Sequence, residues 1–537
     1  MLQHFLDRMG LRGILRDVLG GGLHRGLDHA ETLSILVHNV LTSRGPLYRV
    51  GEWAGGIEPG VLHLTAGQLA HLNDDRLARS LDALVSPRGR TVFFRLALGV
   101  IKDFELSLER VHFDTTTVTV FGQYETSKEE PKITYGHSKA HRPDLKQLLF
   151  GLNVTADGAV PLLHSVQSGN RTDDSVHVQN VDRLREIIGR DDFVYVADSK
   201  LCTKENLAHI ASYGGLFVTV LPRTRAESTA FRDDLRANKV TARWRRVLSR
   251  QARRKEDGPD TYACTTQGPA VTQEGYRIVW VRSSQKARLD AESRHGRLRQ
   301  AEVDLALLSH KLGKGKLRSV TSVRKRAQSI IDHFEVAPFL RVEVTAHALT
   351  EKRYLRRGRP KPGDPQKIVR TQRLDVHVTR DKAALRGEER VDGVFPLVTN
   401  HGKASKREVI EIYKFQPYLE KRFALMKSGY GVAPVFLKKP HRVAALLHLY
   451  FIAIMCSALI ERQVRKAMIT RGIETLPILP EGRRTHTPTT PRILEAFADV
   501  RWHEYQEGER VVAFPVQLDK TQTMLLDLLD IPRSAYA

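Results

Sequence analysis

The chain has 537 residues with 41% hydrophobic content, ample for a buried core and for roughly two to four domains. Its 85 Lys and Arg against 61 Asp and Glu leave a formal charge of +24. That excess points to a polyanion partner, nucleic acid before membrane. Three cysteines, Cys202, Cys264 and Cys456, exclude a disulfide framework and a Cys-based zinc site, and read as reduced thiols of a cytoplasmic protein.

The opening stretch, MLQHFLDRMGLRGILRDVLGGG, is amphipathic and basic but lacks the continuous apolar core and small-residue cleavage site of a signal peptide. Residues 1–104 read as a helical N-terminal region placed to bind DNA, without a specific recognition-helix signature. ETLSILVHNVL (31–41) carries apolar residues at helical spacing. LNDDRLARSLDALV (72–85) opens on Asn73 or Asp74 as a cap, and Leu77, Leu81 and Leu84 then follow one face. Trp53 and the surrounding GEWAGG read as packing and loop.

From 105 to 225 the pattern becomes α/β. VHFDTTTVTVFG (111–122) alternates Val111, Phe113, Thr115 and Thr117 against His112, Asp114 and Thr116, which predicts a strand with one carboxylate, Asp114, on its second face. A basic loop follows, YGHSKAHRPDLKQ (135–147). Its His137, Lys139, Arg142 and Lys146 suit phosphate contact, while Arg142 and Lys146 could equally pair with Asp144 and nearby acids. LLFGLNVTADG (148–158) and AVPLLHSV (159–166) predict two strands joined at Asp157-Gly158. A helix is expected over 173–188, with Asp173 and Asp174 near its start. Then come a central strand, DFVYVA (192–197), ending at Asp198, a helix over 203–211 capped by Thr203, and a strand LFVTVL (216–221).

The order β-β-β-α-β-α is the layout of an RNase H-like α/β fold, in which the first strand lies beside the end of the fourth. Asp114 and Asp198 would then face each other, and two carboxylates so placed stay ionised cheaply only around a cation. Oxygen-only ligands favour Mg2+ or Mn2+ over Zn2+.

The next acid of interest, Glu420, lies too far downstream for a connecting loop, and a β-rich and basic-helical insertion is read over 226–394. TYACTTQ (261–267), YRIVWVRSS (276–284), LRVEVTAHAL (340–349) and LDVHVT (374–379) read as strands. The helical stretch 285–334 between them is basic, with twelve Lys and Arg against four Asp and Glu from Lys286 to Arg326, and is read as a phosphate-contacting face. RGRPK (357–361), with Arg357 and Arg359, resembles the core of an AT-hook, whose arginines lie in a narrow minor groove. Followed by Pro362-Gly363-Asp364-Pro365, the same residues also read as an ordinary basic turn.

The core resumes over 395–470. EIYKFQPYLEKRFALMKS (411–428) is read as one helix with Tyr413, Gln416, Glu420 and Lys427 along one face, beside an apolar face of Phe415, Leu419 and Phe423. VAALLHLYFIAIMCSALI (443–460) is long and apolar enough for a membrane span. Basic residues flank both its ends and no second span accompanies it, so it reads as a helix buried in the core. Over 471–537 the chain reads as a linker rich in Pro, Thr and Arg (476–492) and a tail helix, TQTMLLDLL (521–529), which could dock on its own core or on another subunit.

Taken together these residues resemble the DDE transposases of bacterial insertion sequences, the group with the signature Y-x2-R-x3-E-x6-K. It stands here as Tyr413-x2-Gln416-x3-Glu420-x6-Lys427, joined by the DTTT run at Asp114, the 135–147 loop and the ADS turn at Asp198. The likeness spans residues 105–465. Gln416 departs from it, since a neutral amide can hydrogen-bond a phosphate but brings no charge, and Lys421 is the neighbour able to supply one. The resemblance implies two-metal phosphoryl transfer on double-stranded DNA with Mg2+, Mn2+ substituting. Asp114 would bridge both ions, with Asp198 and Glu420 each completing one, and Tyr413 and Lys427 would hold terminal phosphates. It also implies a homodimer that pairs two terminal inverted repeats before joining them to target DNA, with no membrane partner. A catalytically inactive DNA-binding repressor and a metal-dependent nuclease without strand transfer remain the alternatives.

Overall fold

Strand β1 (Arg110–Val120) is the middle one of the five mixed-sheet strands of the first unit. This computed structural model describes residues 1–20, 26–43, 45–124, 130–139, 142–171, 176–251, 258–355, 365–432, 435, 437–501, 503–508 and 510–536. The chain divides into two units, one of Met1–Thr219, Thr399–Lys403 and Ile410–Ala537, the other of Val220–Val398 and Ala404–Val409.

In the first unit β1 is followed by β2 (Lys146–Thr155), β3 (Pro161–Ser168), β4 (Val194–Val196) and β5 (Leu216–Val220), in the spatial order β3-β2-β1-β4-β5. β1 with β2 and β2 with β3 are antiparallel, whereas β1 with β4 and β4 with β5 are parallel. The hairpin expected at Asp157-Gly158 forms. Gly158 is required there, because its φ is +83° and a Cβ would stand 2.9 Å from the Arg462 side chain. The alternation of β1 suggested one solvated face, but both faces are covered. Along the strand only Arg110, Asp114 and Thr119 keep partial exposure, so the threonines pack rather than meet water.

Helices cover this sheet. The helix His177–Ile188 matches the expected one, with Asp173 and Asp174 outside the described residues. Lys204–Ser212 starts from a Thr203 cap whose hydroxyl accepts the Asn206 N–H at 3.2 Å. The apolar stretch near the C-terminus is a 31-residue helix, Pro440–Thr470, whose most apolar window has mean hydropathy 2.3 and is 94% buried. It packs against β3 and against the N-terminal helices His29–Thr42 and Asp74–Leu84, which lie where the periodicity placed them. Asn73 caps the second of these, accepting the Arg76 N–H at 2.9 Å.

Two expectations in this unit are corrected. GEWAGG lies in a short helix, Val50–Gly55, whose Val50 and Ala54 turn into the core. The 476–492 stretch is not a free linker. Leu476 bridges Thr485, and buried Thr490 donates its N–H to Glu461 at 3.1 Å, giving the Pro- and Thr-rich backbone fixed partners. The tail helix, Lys520–Leu528, buries Leu525, Leu526 and Leu528 against Pro440–Thr470, so it docks on its own core. A short hairpin before it, His503–Glu507 with Arg510–Phe514, carries no apolar alternation strong enough to announce it.

The second unit contains β6 (Arg245–Arg250), β7 (Asp260–Thr265), β8 (Arg277–Ser283), β9 (Leu340–Tyr354), β10 (Gln366–Arg380) and β11 (Val394–Thr399). Four of these are ordered β11-β8-β7-β6, and β9 pairs only with β10. The basic stretch forms two helices, Ser284–Ser309 and Val320–His333. Their Leu298, Leu305, Val323 and Ile331 close a small core with Val344 and Leu374 at the base of the β9–β10 ribbon. Not all of that stretch is a solvated face: Arg294 is buried and grips Asp392 with two bonds of 2.7 and 2.8 Å. β9 and β10 run well past the apolar segments that announced them, because their outer halves carry charge instead of alternation.

Candidate active site

The parallel register of β1 and β4 brings two acids together. Arg110 pairs with Val194 and His112 with Val196, so two residues further on Asp114 and Asp198 take neighbouring positions at the end of β4. Asp114 is half-buried. Its Oδ1 accepts the Thr115 N–H at 2.7 Å and lies 3.7 Å from Lys139 Nζ. Asp198 caps the turn Ser199–Leu201, accepting the Lys200 N–H at 3.0 Å, while its own carbonyl accepts the Thr219 hydroxyl at 2.6 Å.

Lys139 arrives on the 135–147 loop and is tethered to β1, donating to the Thr115 carbonyl at 2.9 Å and the Thr115 hydroxyl at 2.7 Å. The loop is pressed against its neighbour at Gly136, where a Cβ would stand 2.0 Å from the Gly169 carbonyl oxygen. A cation is thereby fixed beside the Asp114 carboxylate.

The stretch read as one helix over 411–428 is broken into three pieces: a helix Lys406–Tyr413, a helix Gln416–Ala424, and a π-turn Leu425–Gly429. Pro417 is the reason for the first break. It has no N–H to give to Tyr413 and its ring clashes with that carbonyl, whereas in the first turn of a new helix neither matters. Tyr413, Glu420 and Lys427 therefore sit on three different pieces rather than along one helical face.

Electrostatics still link them. The Tyr413 phenol is pushed up to about 12, first by burial and then by the negative charges of Asp198, Glu420 and Asp114. The charges of all three predicted carboxylates thus act on one hydroxyl, with Glu420 the exposed member. Lys427 is lowered by burial and by Lys139, and Asp114 works in the opposite sense. Under the acids lies Tyr195 of β4, whose phenol is raised by burial, with Asp198 and Asp114 adding to it.

Gln416 does something the sequence did not suggest. Its Nε2 donates to the Phe113 carbonyl at 3.2 Å, which leaves Oε1 to accept from His112 Nδ1 at 3.0 Å. Both ends of the amide are held by β1, so the helix bearing Glu420 is fastened to the strand bearing Asp114. The expected phosphate contact is replaced by an internal one. His112 was the available signal, an imidazole in a buried strand that needs a polar partner. The same helix is fixed at its far end by buried Arg422, which meets Glu461 at 2.8 Å and the Ala159 and Gly158 carbonyls at 3.0 and 2.8 Å.

Other predicted contacts lie elsewhere. Arg142 pairs with Asp144 through bonds of 2.8 and 2.7 Å, and Lys146 donates to the Gln123 carbonyl and, at 2.8 Å, to that of Tyr124. Lys421 lies 4.8 Å over the Tyr418 ring. Arg357 and Arg359 lie outside the described residues. The acids offer only oxygen donors, the chemistry a hard divalent cation takes. Among the described residues, no three His, Cys, Asp or Glu are gathered closely enough to hold an ion together.

Residues 1–98 match a family described as a domain of unknown function, DUF4277. No curated protein matches the sequence. Among solved structures, the piggyBac transposase synaptic complex with hairpin DNA is similar with a TM-score of 0.29 and 9% identity. That match covers 53% of this chain and 60% of the other.

Proposed function

We propose that this chain is a DNA transposase that cleaves and joins strands at the ends of an insertion sequence, with an RNase H-like core interrupted by a β-rich insertion. The observation that supports the reading is the parallel register of β1 and β4, which gives Asp114 and Asp198 neighbouring positions, with the negative charges of both and of Glu420 acting on the Tyr413 phenol. The strand order β3-β2-β1-β4-β5, with β4 parallel to β1, supports the core assignment.

Asp114, Asp198 and Glu420 would hold Mg2+, or Mn2+ in its place, and two such ions supply an activated water or 3′-hydroxyl nucleophile and a stabilised leaving oxygen. The chain's own groups have separate work. Tyr413, kept protonated by its surroundings, donates a hydrogen bond to a phosphate oxygen at any physiological pH. Lys427 and Lys139 add positive charge where a phosphodiester's negative charge must be tolerated beside carboxylates. Gln416 orients rather than binds. Two copies would pair the two ends of the element.

The test uses purified protein and a duplex bearing the element's end, with Mg2+ or chelator, beside Glu420→Gln. Metal-dependent nicking and joining are expected, lost in the variant while end-binding persists. End-binding with no cleavage in any metal would sink the proposal and leave a DNA-binding repressor. Nicking without joining, indifferent to paired repeats, would leave a nuclease.

A further inference from the structure

The β9–β10 ribbon has an outer half that nothing in its own fold explains. Val344 and Leu374 bury the base against the two basic helices. Beyond them every residue from Ala346 to Tyr354 is exposed, and along 366–373 only Val369 and Thr371 are partly covered. A two-stranded ribbon with both faces in water is marginal by itself. At ~3.3 Å per residue this outer half reaches about 30 Å from its base.

Its side chains are cationic. Over 346–354 and 366–373 stand Lys352, Arg353, Lys367, Arg370 and Arg373 against one acid, Glu351. Arg353 meets Glu351 at 3.1 Å, and Arg373 reaches Asp375 at 3.5 Å. Lys352, Lys367 and Arg370 have no acidic partner among the described residues. Register places Lys367 directly opposite Arg353 on one face, a like-charged cross-strand pair that costs stability unless an anion lies between. On the other face stand Lys352, opposite Ile368, and Arg370, opposite Thr350. Both faces of the ribbon thus carry cations. Edge protection by lysine accounts for charge alone, yet Leu349, Tyr354 and Ile368 remain exposed among these cations, at 43%, 43% and 59%.

We infer that the outer half of this ribbon lies in the major groove of duplex DNA, with cations from its two faces meeting the phosphates of both strands. The major groove, about 12 Å wide, admits a two-stranded ribbon. A cationic surface on one side only would suit a flat approach, whereas cations on both faces suit a groove with a phosphate wall on either side. The exposed Leu349 and Ile368 can meet base edges and thymine methyl groups there. This inference rests on the proposed duplex-DNA partner but needs no catalysis.

The experiment compares the full chain with a variant carrying Lys352→Ala, Lys367→Ala and Arg370→Ala, all at exposed positions. A control variant carries Lys102→Ala, Lys204→Ala and Lys239→Ala, equally exposed and off the ribbon. Binding to a duplex of arbitrary sequence is measured in chelator across a salt series, which removes cleavage from the readout. The slope of log affinity against log salt is expected to fall by about 2.7 in the ribbon variant and to hold in the control. A duplex whose major groove is filled by glucosylated cytosines should bind the wild type more weakly, and a minor-groove-blocking drug should have no effect. An unchanged slope in the ribbon variant, or sensitivity only to the minor-groove drug, would overturn the inference. Loss of cleavage in Glu420→Gln leaves this slope untouched, so failure of the enzyme reading and failure of the groove reading are told apart.

Discussion

Replacing Gln416 separates positioning from phosphate binding. Gln416→Ala removes a bond to the Phe113 carbonyl and the side-chain hydrogen-bond partner of His112 Nδ1, while His112 Nε2 has no hydrogen-bond partner among the described residues. The first loss is worth about 1 kcal/mol and the stranded buried imidazole about 1–3, so destabilisation of roughly 2–4 kcal/mol is expected. Chemical denaturation of the full chain measures it, and hydrogen exchange of the β1 amides locates it. Pairing it with His112→Phe in a double-mutant cycle should give a coupling of about 1–2 kcal/mol, since the two side chains share one bond. Affinity for end DNA should stay as in the wild type. Gln416→Arg, the residue usual in the resembled group, should also destabilise, because a guanidinium placed against β1 has only donors and no atom to accept the His112 Nδ1–H. An unchanged denaturation midpoint together with weakened DNA binding would refute the positioning role and restore the phosphate contact.

Two further outcomes follow from buried groups. Arg422→Leu leaves Glu461 without its 2.8 Å partner at a site 6% exposed, and should cost about 3–5 kcal/mol, read as a lowered thermal midpoint; a shift under a degree would mean Arg465 and Thr490 suffice for that carboxylate. Acid should also weaken the fold, because burial holds the His112 imidazole down from 6.5 to about 4. A depressed folded-state value means the unfolded chain takes up the proton first. Stability is therefore full above pH 6.5, falls between 6.5 and 4, and levels below, by about 3 kcal/mol for this residue. Denaturation midpoints at pH 7, 5.5 and 4.5 test this, and a flat profile would contradict it.

What the sequence made legible was set by periodicity and by turn chemistry. β1, the Asp157-Gly158 hairpin, and the caps at Asn73 and Thr203 each carry their signal within a few residues, and all formed as read. The meeting of Asp114 with Asp198 was also readable, because it follows from strand order alone. Less legible were contacts whose partner lies far away. Nothing near Gln416 in sequence shows that Phe113 and His112 will take both ends of its amide, and nothing near Arg142 decided between Asp144 and a phosphate. The outer ribbon was missed for the opposite reason. Its strands lack an apolar face, so the alternation that marks a half-buried strand is absent from TEKRY and QKIVR.

The break before Gln416 alters the electrostatics of the site as well as its geometry. Read as a continuous helix, 411–428 would offer the acids only the side of a cylinder, where the backbone carries no net field. With the helix restarting at Gln416, its first turn lies against Phe113, next to Asp114 in the chain. A helix N-terminus carries about half a positive charge, and a cation, Lys139, stands beside Asp114 at 3.7 Å. The proline that spoils the simple reading of Tyr413 through Lys427 as one face therefore has a use. It starts a new helix at the very residue whose side chain is tied to the strand that carries Asp114.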